Sequence, residues 1–203
     1  MSHLKSVKGF AMIEVLVTIL VISFGLMSMY GLLLATKREG VSSYQRTQAV
    51  GLANEILERI LNNPRQAAAY HTGLDNPVGG GSLGTPARDC LTAGVRCTNT
   101  ELATWDLWNW ERRLDGEGIA TPDGNNIPSL LEAQGCVVFA AAGAGSPNSG
   151  TVRVIVSWRS PAETTDAAQT AAETCGAVQA GTDNGRHQIV LNSYIVNQDD
   201  FAP

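Results

Sequence analysis

Five consecutive residues, Gly80-Gly81-Ser82-Leu83-Gly84, have the G-x-S-x-G spacing of a serine nucleophile. Asp183 and His187 follow in the chain order that α/β-hydrolases use for their catalytic acid and base. However, a nucleophile elbow needs an apolar strand before the serine and a helix after it, whereas Ser82 lies in a glycine-rich stretch. The part of the chain after residue 36 is also short for a hydrolase with many parallel strands. We therefore predict that the protein is not an enzyme, and keep a membrane-tethered hydrolase using Ser82 as the alternative.

Four cysteines could form disulfides or hold a metal ion: Cys90, Cys97, Cys136 and Cys175. Their even number favours disulfides in an oxidising compartment. A zinc site is less favoured because no C-x-x-C pair occurs and neither His71 nor His187 forms a close ligand pair with them. We predict no metal and no other cofactor. Of the three possible connectivities, Cys90–Cys97 with Cys136–Cys175 is the most economical, and the sequence leaves the others open.

The N-terminal part of the chain contains a long apolar run from Val15 to Ala35, with no charged residue between Glu14 and Lys37. As a helix rising about 1.5 Å per residue, this run is long enough to cross a hydrocarbon layer about 30 Å thick. It ends in basic residues rather than in the small residues of a signal cleavage site, so we expect it to stay in the protein. The numbers of basic residues on the two sides of the run are equal, so the positive-inside rule does not decide its orientation. The cysteines indicate that the C-terminal part lies outside the cytosol, because disulfides form in oxidising compartments.

Length and charge bound the remaining possibilities. The 203 residues suffice for one modest domain plus this appendage. The formal net charge is −5, so the chain lacks the basic surplus that supplies most of the affinity for nucleic acid. We therefore predict that the protein does not bind nucleic acid. The apolar run makes membrane lipid a predicted partner.

Glu14 is the one ionisable residue at the start of the apolar run. A charge at the middle of a bilayer costs about 2.5–3.5 kcal/mol on insertion scales, so such a residue normally has a partner or a function. The alternative is that Glu14 lies at the membrane interface and interacts with the positive end of the helix dipole.

The stretch Lys8-Gly9-Phe10-Ala11-Met12-Ile13-Glu14, followed by the apolar run, resembles the class III signal of type IV pilins and type II secretion pseudopilins. The likeness rests on a short basic leader at residues 1–9, a Gly–Phe junction, and a glutamate at the fifth position counted from Phe10. It implies that a prepilin peptidase cleaves between Gly9 and Phe10 and methylates the new amino group. It also implies that Glu14 pairs with an α-amino group, its own or a neighbour's, and so helps to dock the helix during assembly.

The helix is expected to continue past the membrane, from about Phe10 to Asn62, where Asn62, Asn63 and Pro64 stop it. The residues predicted to share its apolar side are Val41, Tyr44, Gln48, Leu52, Ile56 and Ile60, flanked by Ala49 and Ala53. Residues 64–100 read as an irregular connection because of their turn signals.

A shorter helix is predicted from Thr100 to Leu114, starting at a capping box formed by Thr98 and Glu101. This helix has two apolar sides. The first consists of Ala103, Leu107, Trp110 and Leu114, and the second of Leu102, Trp105 and Trp108. We assign all three tryptophans to the core of the domain, and a surface for a protein partner is the alternative.

Three strands are predicted at residues 136–141, 151–159 and 188–196, the first two joined by the connection Gly143–Gly150. The expected fold is therefore α+β and pilin-like, with a long N-terminal helix packed on an antiparallel sheet. Three segments follow from this: a leader at 1–9, a helix at 10–63 whose transmembrane half covers about 14–36, and a periplasmic head at 64–203.

The order of long helix, tryptophan-bearing segment, and Cys-Val-Val and Val-Arg-Val-Ile-Val-Ser-Trp strands resembles the PilV-type minor pilins of type IV pili. This resemblance implies a subunit of the inner membrane, later of the pilus tip at the cell surface, that primes pilus assembly and supports display of a tip adhesin, with roles in cell adhesion and twitching motility. The implied partners are other minor pilins, the major pilin, the tip adhesin, the prepilin peptidase and the inner-membrane assembly platform. The alternative is a minor pseudopilin of a type II secretion system.

Overall fold

The computed structural model describes residues 11–117, 123, 128–160, 168, 170–171, 173–176 and 182–201. The predicted cleavage site between Gly9 and Phe10 lies outside the described residues. The chain divides into two compact units, Met1–Val41 and Ser42–Pro203. We call the first the N-terminal unit and the second the head unit.

The first helix, α1, runs from Met12 to Asn62, as the apolar run and the Asn-Asn-Pro stop predict. Every described residue of the N-terminal unit, 11–41, is exposed, including its large aliphatic side chains. By length and composition, α1 could cross a membrane. Polar backbone groups in such a helix are bonded within the helix itself, which is why an exposed apolar segment of this kind suits a lipid environment.

Within the head unit, the buried side of α1 differs from the predicted one. The buried residues are Gln45, Ala49, Ala53, Ile56 and Ile60. Tyr44, predicted to share the apolar side, is 56% exposed, and Val41, predicted likewise, is the last residue of the N-terminal unit and is 52% exposed. The alanines predicted to flank the buried stripe form its middle, because their small side chains allow the neighbouring elements to approach the helix closely.

The segment after α1 is more regular than predicted. A 3₁₀-helix covers Pro64–Tyr70, and its last residue is fully buried. Farther along, Val78 forms an isolated antiparallel bridge with Gly135. The backbone N–H groups of Thr72 and Gly73 both donate to the carbonyl oxygen of Val137, at 2.9 and 3.2 Å. These contacts cover part of one edge of the sheet, which would otherwise expose unpaired backbone groups.

The second helix, α2, covers Asn99–Leu114 and begins with the predicted capping box. The Thr98 N–H donates to Glu101 Oε2 at 2.8 Å, and the Glu101 N–H donates to Thr98 Oγ1 at 3.2 Å. Each residue thus satisfies a backbone donor at the helix start that has no partner inside the helix.

Three antiparallel strands form the sheet in the order β1-β2-β3: β1 is Leu131–Gly143, β2 is Ser146–Arg159 and β3 is Arg186–Ile195. The α+β, pilin-like layout predicted from the sequence is therefore present. The first two strands are longer than predicted, and only residues 144 and 145 connect them instead of Gly143–Gly150. Pairing extends into the Gly- and Ser-rich stretch because the polar face of this hairpin needs no apolar side chains.

The core lies on one face of this sheet. The alternating residues predicted for β2, namely Val152, Val154, Val156 and Trp158, are all buried there. They share one apolar cluster with the buried residues of α1 and with Ala103, Trp110 and Leu114 of α2. The first apolar side predicted for α2 is thus its core side.

Candidate functional site

Glu14 lies in the first turn of α1 and its side chain is exposed within the chain. Its backbone N–H donates to the carbonyl oxygen of Ala11 at 2.9 Å, so the helical turn is already formed at this residue. A carboxylate in the first turn interacts favourably with the partial positive charge of the helix N-terminus. The position leaves the carboxylate accessible to a cation from another chain.

The serine and threonine hydroxyl groups of the apolar run are bonded within the helix. Thr18, Ser23, Ser28 and Thr36 each donate to the carbonyl oxygen three or four residues earlier, at 2.7 to 3.1 Å. These four are all the serines and threonines between Val15 and Thr36. A hydroxyl bonded in this way can enter an apolar environment without leaving its donor unpaired. Glu14 is the one charged residue between residues 11 and 36.

The serine of the G-x-S-x-G stretch contacts a carboxylate. The Ser82 hydroxyl donates a hydrogen bond to Glu111 Oε1, at a distance of 2.6 Å. Glu111 is 2% exposed and also accepts from the backbone N–H groups of Gly79, Ser82 and Leu83. A nucleophile elbow instead places the serine on a sharp turn between a strand and a helix, whereas no strand ends at Ser82 and no helix begins there. The arrangement therefore resembles an anchored loop rather than a nucleophile elbow.

The glycines of this loop have a structural reason. Gly80 and Gly81 have φ angles of +70° and +72°, in the left-handed region that favours glycine. In that conformation their backbone N–H groups point to the Asp115 carboxylate, at 2.7 and 3.1 Å. Successive N–H groups in such a turn form a concave anion-binding nest. Here the anions are the carboxylates of Glu111 in α2 and of Asp115, the C-cap of that helix, so the loop is bound to the C-terminal end of α2.

The other two residues of the hypothetical triad lie near the start of β3. Asp183 Oδ2 pairs with Arg159 Nη2 at 2.6 Å, and Asp183 Oδ1 accepts from the Gly185 N–H at 3.0 Å. The His187 ring stacks on Trp158, with ring centroids 5.8 Å apart. Both residues thus contact the C-terminal end of β2, whereas Ser82 contacts α2.

The four cysteines form two disulfides, Cys90–Cys97 and Cys136–Cys175. This is the pairing that the loop-closure argument favours. Cys136 and Cys175 are fully buried and pack with Ile155 on the face of the sheet opposite the core. Cys90 and Cys97 are partly exposed and close a short loop that ends at the N-cap of α2.

A buried polar network joins α1, the 3₁₀-helix and α2. Asp106 is 5% exposed and accepts from the Tyr70 hydroxyl at 2.6 Å and from Arg59 Nη1 at 2.9 Å. Arg59 also pairs with Glu55 at 2.7 Å. Burial, followed by the contact with Asp106, raises the pKa of Tyr70 far above its ordinary value, so its hydroxyl remains a donor. Arg113 also pairs with Glu55 at 3.5 Å, so two guanidiniums face two carboxylates, and this balance of charge is the condition for burying them.

Sequence reasoning did not find Glu111 or Asp106. A signal for the first was present, since Glu111 follows Leu107 by four residues and precedes Leu114 by three, and both belong to the core side of α2. A carboxylate on a core side must have buried donors. Asp106 lies between the two apolar sides, and its partners Tyr70 and Arg59 come from distant parts of the chain.

The tryptophans divide between core and surface, contrary to the prediction that all three lie in the core. Trp110 is fully buried in the core cluster, and its indole N–H donates to the carbonyl oxygen of Leu52 at 2.8 Å. Trp105 is 5% exposed and lies under the Arg59 guanidinium. Trp108 is half-buried and lines an open groove. The reason is the helical period, because residues 108 and 110 cannot lie on the same side of a helix.

Comparison with known proteins gives one match. Residues 37–108 match the model of a family described as Tt1218-like, type IV pilin Tt1218. The matched range contains the second part of α1, the Cys90–Cys97 loop and most of α2. No curated protein and no solved structure matches the chain. The match covers 72 of the 203 residues, and together with the helix-plus-sheet layout it supports a relationship to the type IV pilin superfamily and a pilin role.

Proposed function

We propose that the chain is a minor pilin that primes type IV pilus assembly at the inner membrane and then lies near the pilus tip, supporting display of a tip adhesin. Its leader, residues 1–9, is removed by prepilin peptidase, which methylates Phe10. Approximately residues 14–36 span the inner membrane, and the head at 64–203 lies in the periplasm. Other minor pilins, the major pilin, the tip adhesin and the assembly platform are its partners, and adhesion and twitching motility are the processes it serves.

The observation that carries the proposal is the chemistry of the exposed part of α1. Its serine and threonine hydroxyls are bonded within the helix, its aliphatic side chains are exposed, and Glu14 is its one carboxylate before Lys37. Opposite charges 4 Å apart attract by about 4 kcal/mol at an effective dielectric constant of 20. A pairing with the amino group of a neighbouring pilin would therefore offset the cost of placing Glu14 among apolar helices and set the axial register of the subunit.

The intact mass and N-terminal sequence of the protein from its native membranes test the proposal. We expect a chain of 194 residues, which is 203 minus nine, beginning at Phe10, carrying one extra methyl group and lacking four hydrogens because of its two disulfides. A chain still beginning at Met1, in cells that process their other prepilins, would contradict it. Partner capture with the processed protein then separates a pilus tip complex from the type II secretion alternative.

A further inference from the structure

A groove with a volume of about 550 Å³ lies along the exposed side of α2. We call it the tryptophan groove. Its lining includes Pro86, Asp89, Leu91, Trp108, Asn109 and Arg112. Ligand-binding pockets usually have volumes of about 300–1,000 Å³, with aromatic walls and a few well-placed polar groups. The tryptophan groove therefore has the size and composition of a small-molecule site, and the pilin role assigns it no occupant.

The aromatic wall of the groove is held rigidly. The Arg112 guanidinium lies 4.4 Å from the centroid of the Trp108 ring. The Trp105 ring centroid is 6.4 Å from that of Trp108, with the ring planes tilted by 59°. An aromatic ring has two faces, and the guanidinium covers one of them. The part of the Trp108 ring that borders the groove is thus held in place and can contact an apolar surface at little cost in side-chain entropy.

The opposite wall is equally constrained. Cys90–Cys97 closes the loop that carries Leu91, whose side chain is 75% exposed at the rim. Asp89 accepts from the Leu91 N–H and from the Thr92 hydroxyl, both at 2.9 Å. These bonds, led by that of the Leu91 N–H, keep the pKa of the Asp89 carboxyl below its usual value. Asp89 is therefore a fixed, ionised acceptor at the rim.

The charges around the groove exclude a strongly anionic ligand. Each arginine of the lining is paired: Arg88 with Glu101 at 3.2 Å, Arg112 with Glu117, and Arg113 with Glu55 at 3.5 Å. Three guanidiniums stand against three paired carboxylates and Asp89, which leaves one net negative charge. An anion would meet no uncompensated cation among these groups, and burying it would cost its hydration.

The ion-paired arginines still have N–H groups that can donate hydrogen bonds to a ligand. A guanidinium has five N–H donors in a rigid plane, and an ion pair uses one or two of them. Asn109 Oδ1 accepts from Arg59 at 2.7 Å, which orients the amide group and leaves its NH₂ as a donor. A ligand with hydroxyl groups can both donate to Asp89 and accept from these donors. A purely apolar ligand would leave the same groups desolvated without partners.

We propose that the tryptophan groove binds a neutral saccharide, with one sugar ring packed against Trp108 and its hydroxyls bonded to Asp89 and Asn109. A pyranose combines an apolar C–H face with peripheral hydroxyls that donate and accept, and it carries no charge. A protein segment is the other class of occupant. It fits less well because a stable protein interface buries about 800 Å² on each partner, more surface than this single groove offers, whereas one sugar ring fits its volume of about 550 Å³.

The test uses the full-length protein in a detergent without a sugar head group, because a glycosidic detergent would compete. An array of neutral oligosaccharides, with sialylated and sulfated counterparts, is screened first, and the best ligand is titrated by calorimetry. We expect binding of neutral saccharides, no tighter binding of the charged counterparts, and about tenfold weaker binding for Trp108→Ala. Tyr194→Ala is the matched control, because Tyr194 is an exposed aromatic residue on β3.

Three results would overturn the proposal: no saccharide bound at millimolar concentration, binding unchanged in Trp108→Ala, or tighter binding of the anionic counterparts. Circular dichroism and intact disulfides establish that the variant is folded. Should the alanine variant misfold, Trp108→Phe keeps a smaller ring and is expected to weaken binding measurably less than tenfold but more than the Tyr194 control. A blank array combined with poor pilus incorporation of Trp108→Ala would mean a protein partner at the groove, which also overturns the saccharide.

Discussion

A Cβ atom added to Gly135 would lie 2.2 Å from Cη2 of Trp110, so the β1 backbone and the indole ring are in direct contact. The same ring donates its N–H to the Leu52 carbonyl oxygen at 2.8 Å. Trp110 thus joins β1, α2 and the head-unit part of α1, and it has no exposed surface. The absence of a side chain at residue 135 is what allows this contact.

Gly135→Ala is expected to lower the free energy of unfolding by about 3 kcal/mol, because the methyl group must displace a buried ring or a strand. Urea unfolding followed by tryptophan fluorescence measures the change. Gly143→Ala is the matched control, since it lies in the same strand and a Cβ atom there meets nothing within 4 Å. Equal midpoints for the two variants would contradict the contact.

Glu111→Ala is expected to cost about 3 kcal/mol, because it leaves the N–H groups of Ser82 and Leu83 without their acceptor. Glu58→Ala, on an exposed position of α1, is the control and should change stability by less than about 0.5 kcal/mol. Proteolysis of the Gly79–Leu83 loop should also become faster in Glu111→Ala. An unaltered cleavage rate would mean that the carboxylate does not hold the loop.

Ser82→Ala separates the structural function of this loop from catalysis. It removes the hydroxyl that contacts Glu111 but keeps the backbone donors, so we expect a loss of about 1 kcal/mol and normal pilus assembly. Pilus counts by electron microscopy and subunit blotting check the assembly. If the variant instead abolished a hydrolytic activity of the wild-type protein, the enzyme alternative would be correct.

The two disulfides are expected to differ in their effect on stability. Loop-closure entropy predicts a loss of about 4 kcal/mol for Cys136→Ser with Cys175→Ser, which are 39 residues apart in sequence. For Cys90→Ser with Cys97→Ser, seven residues apart, it predicts about 2.4 kcal/mol. Denaturant unfolding of the two double variants checks the order. A larger loss for the short loop would contradict the entropic account.

The capping box predicts a dependence of stability on pH. The Thr98 backbone N–H holds the pKa of Glu101 below the ordinary value of 4.5 for a glutamate. A depressed pKa means that the folded state favours the carboxylate, so this contribution is present above pH 4.5 and is lost as pH falls through the lower folded-state value. Glu101→Gln should therefore show a shallower fall of Tm on acidification below pH 4.5 than the wild type. Glu58→Gln, with its exposed side chain, is the control and should retain the wild-type slope.

Glu14→Ala is expected to be processed normally but to enter filaments poorly, because the cleavage site is intact and the proposed partner of the α-amino group is lost. Subunit blots of sheared pili, normalised to the membrane pool, measure incorporation. Glu39→Ala, a carboxylate on α1 after the apolar run, is the control. Equal incorporation of the wild type, Glu14→Ala and Glu39→Ala would show that Glu14 has no role in assembly.

The elements of this fold were predictable because each rests on a local pattern. The apolar run and the Asn62-Asn63-Pro64 stop predict α1, Thr98 and Glu101 predict the start of α2, and alternating valines predict the core face of β2. Helix capping and periodicity depend on residues three or four positions apart, which the sequence displays directly.

The tertiary structure alone decided which candidate residues meet. The sequence pairs Ser82 with Asp183 and His187 by motif, whereas the fold places Glu111 within reach of Ser82 and leaves His187 on Trp158. The fold also buries the side of α1 that carries Ala49 and Ala53, and it places Trp108 in the lining of a groove. These outcomes depend on contacts between residues far apart in sequence, where the packing of neighbouring elements, rather than local preference, determines which side chain is buried and which donor finds an acceptor.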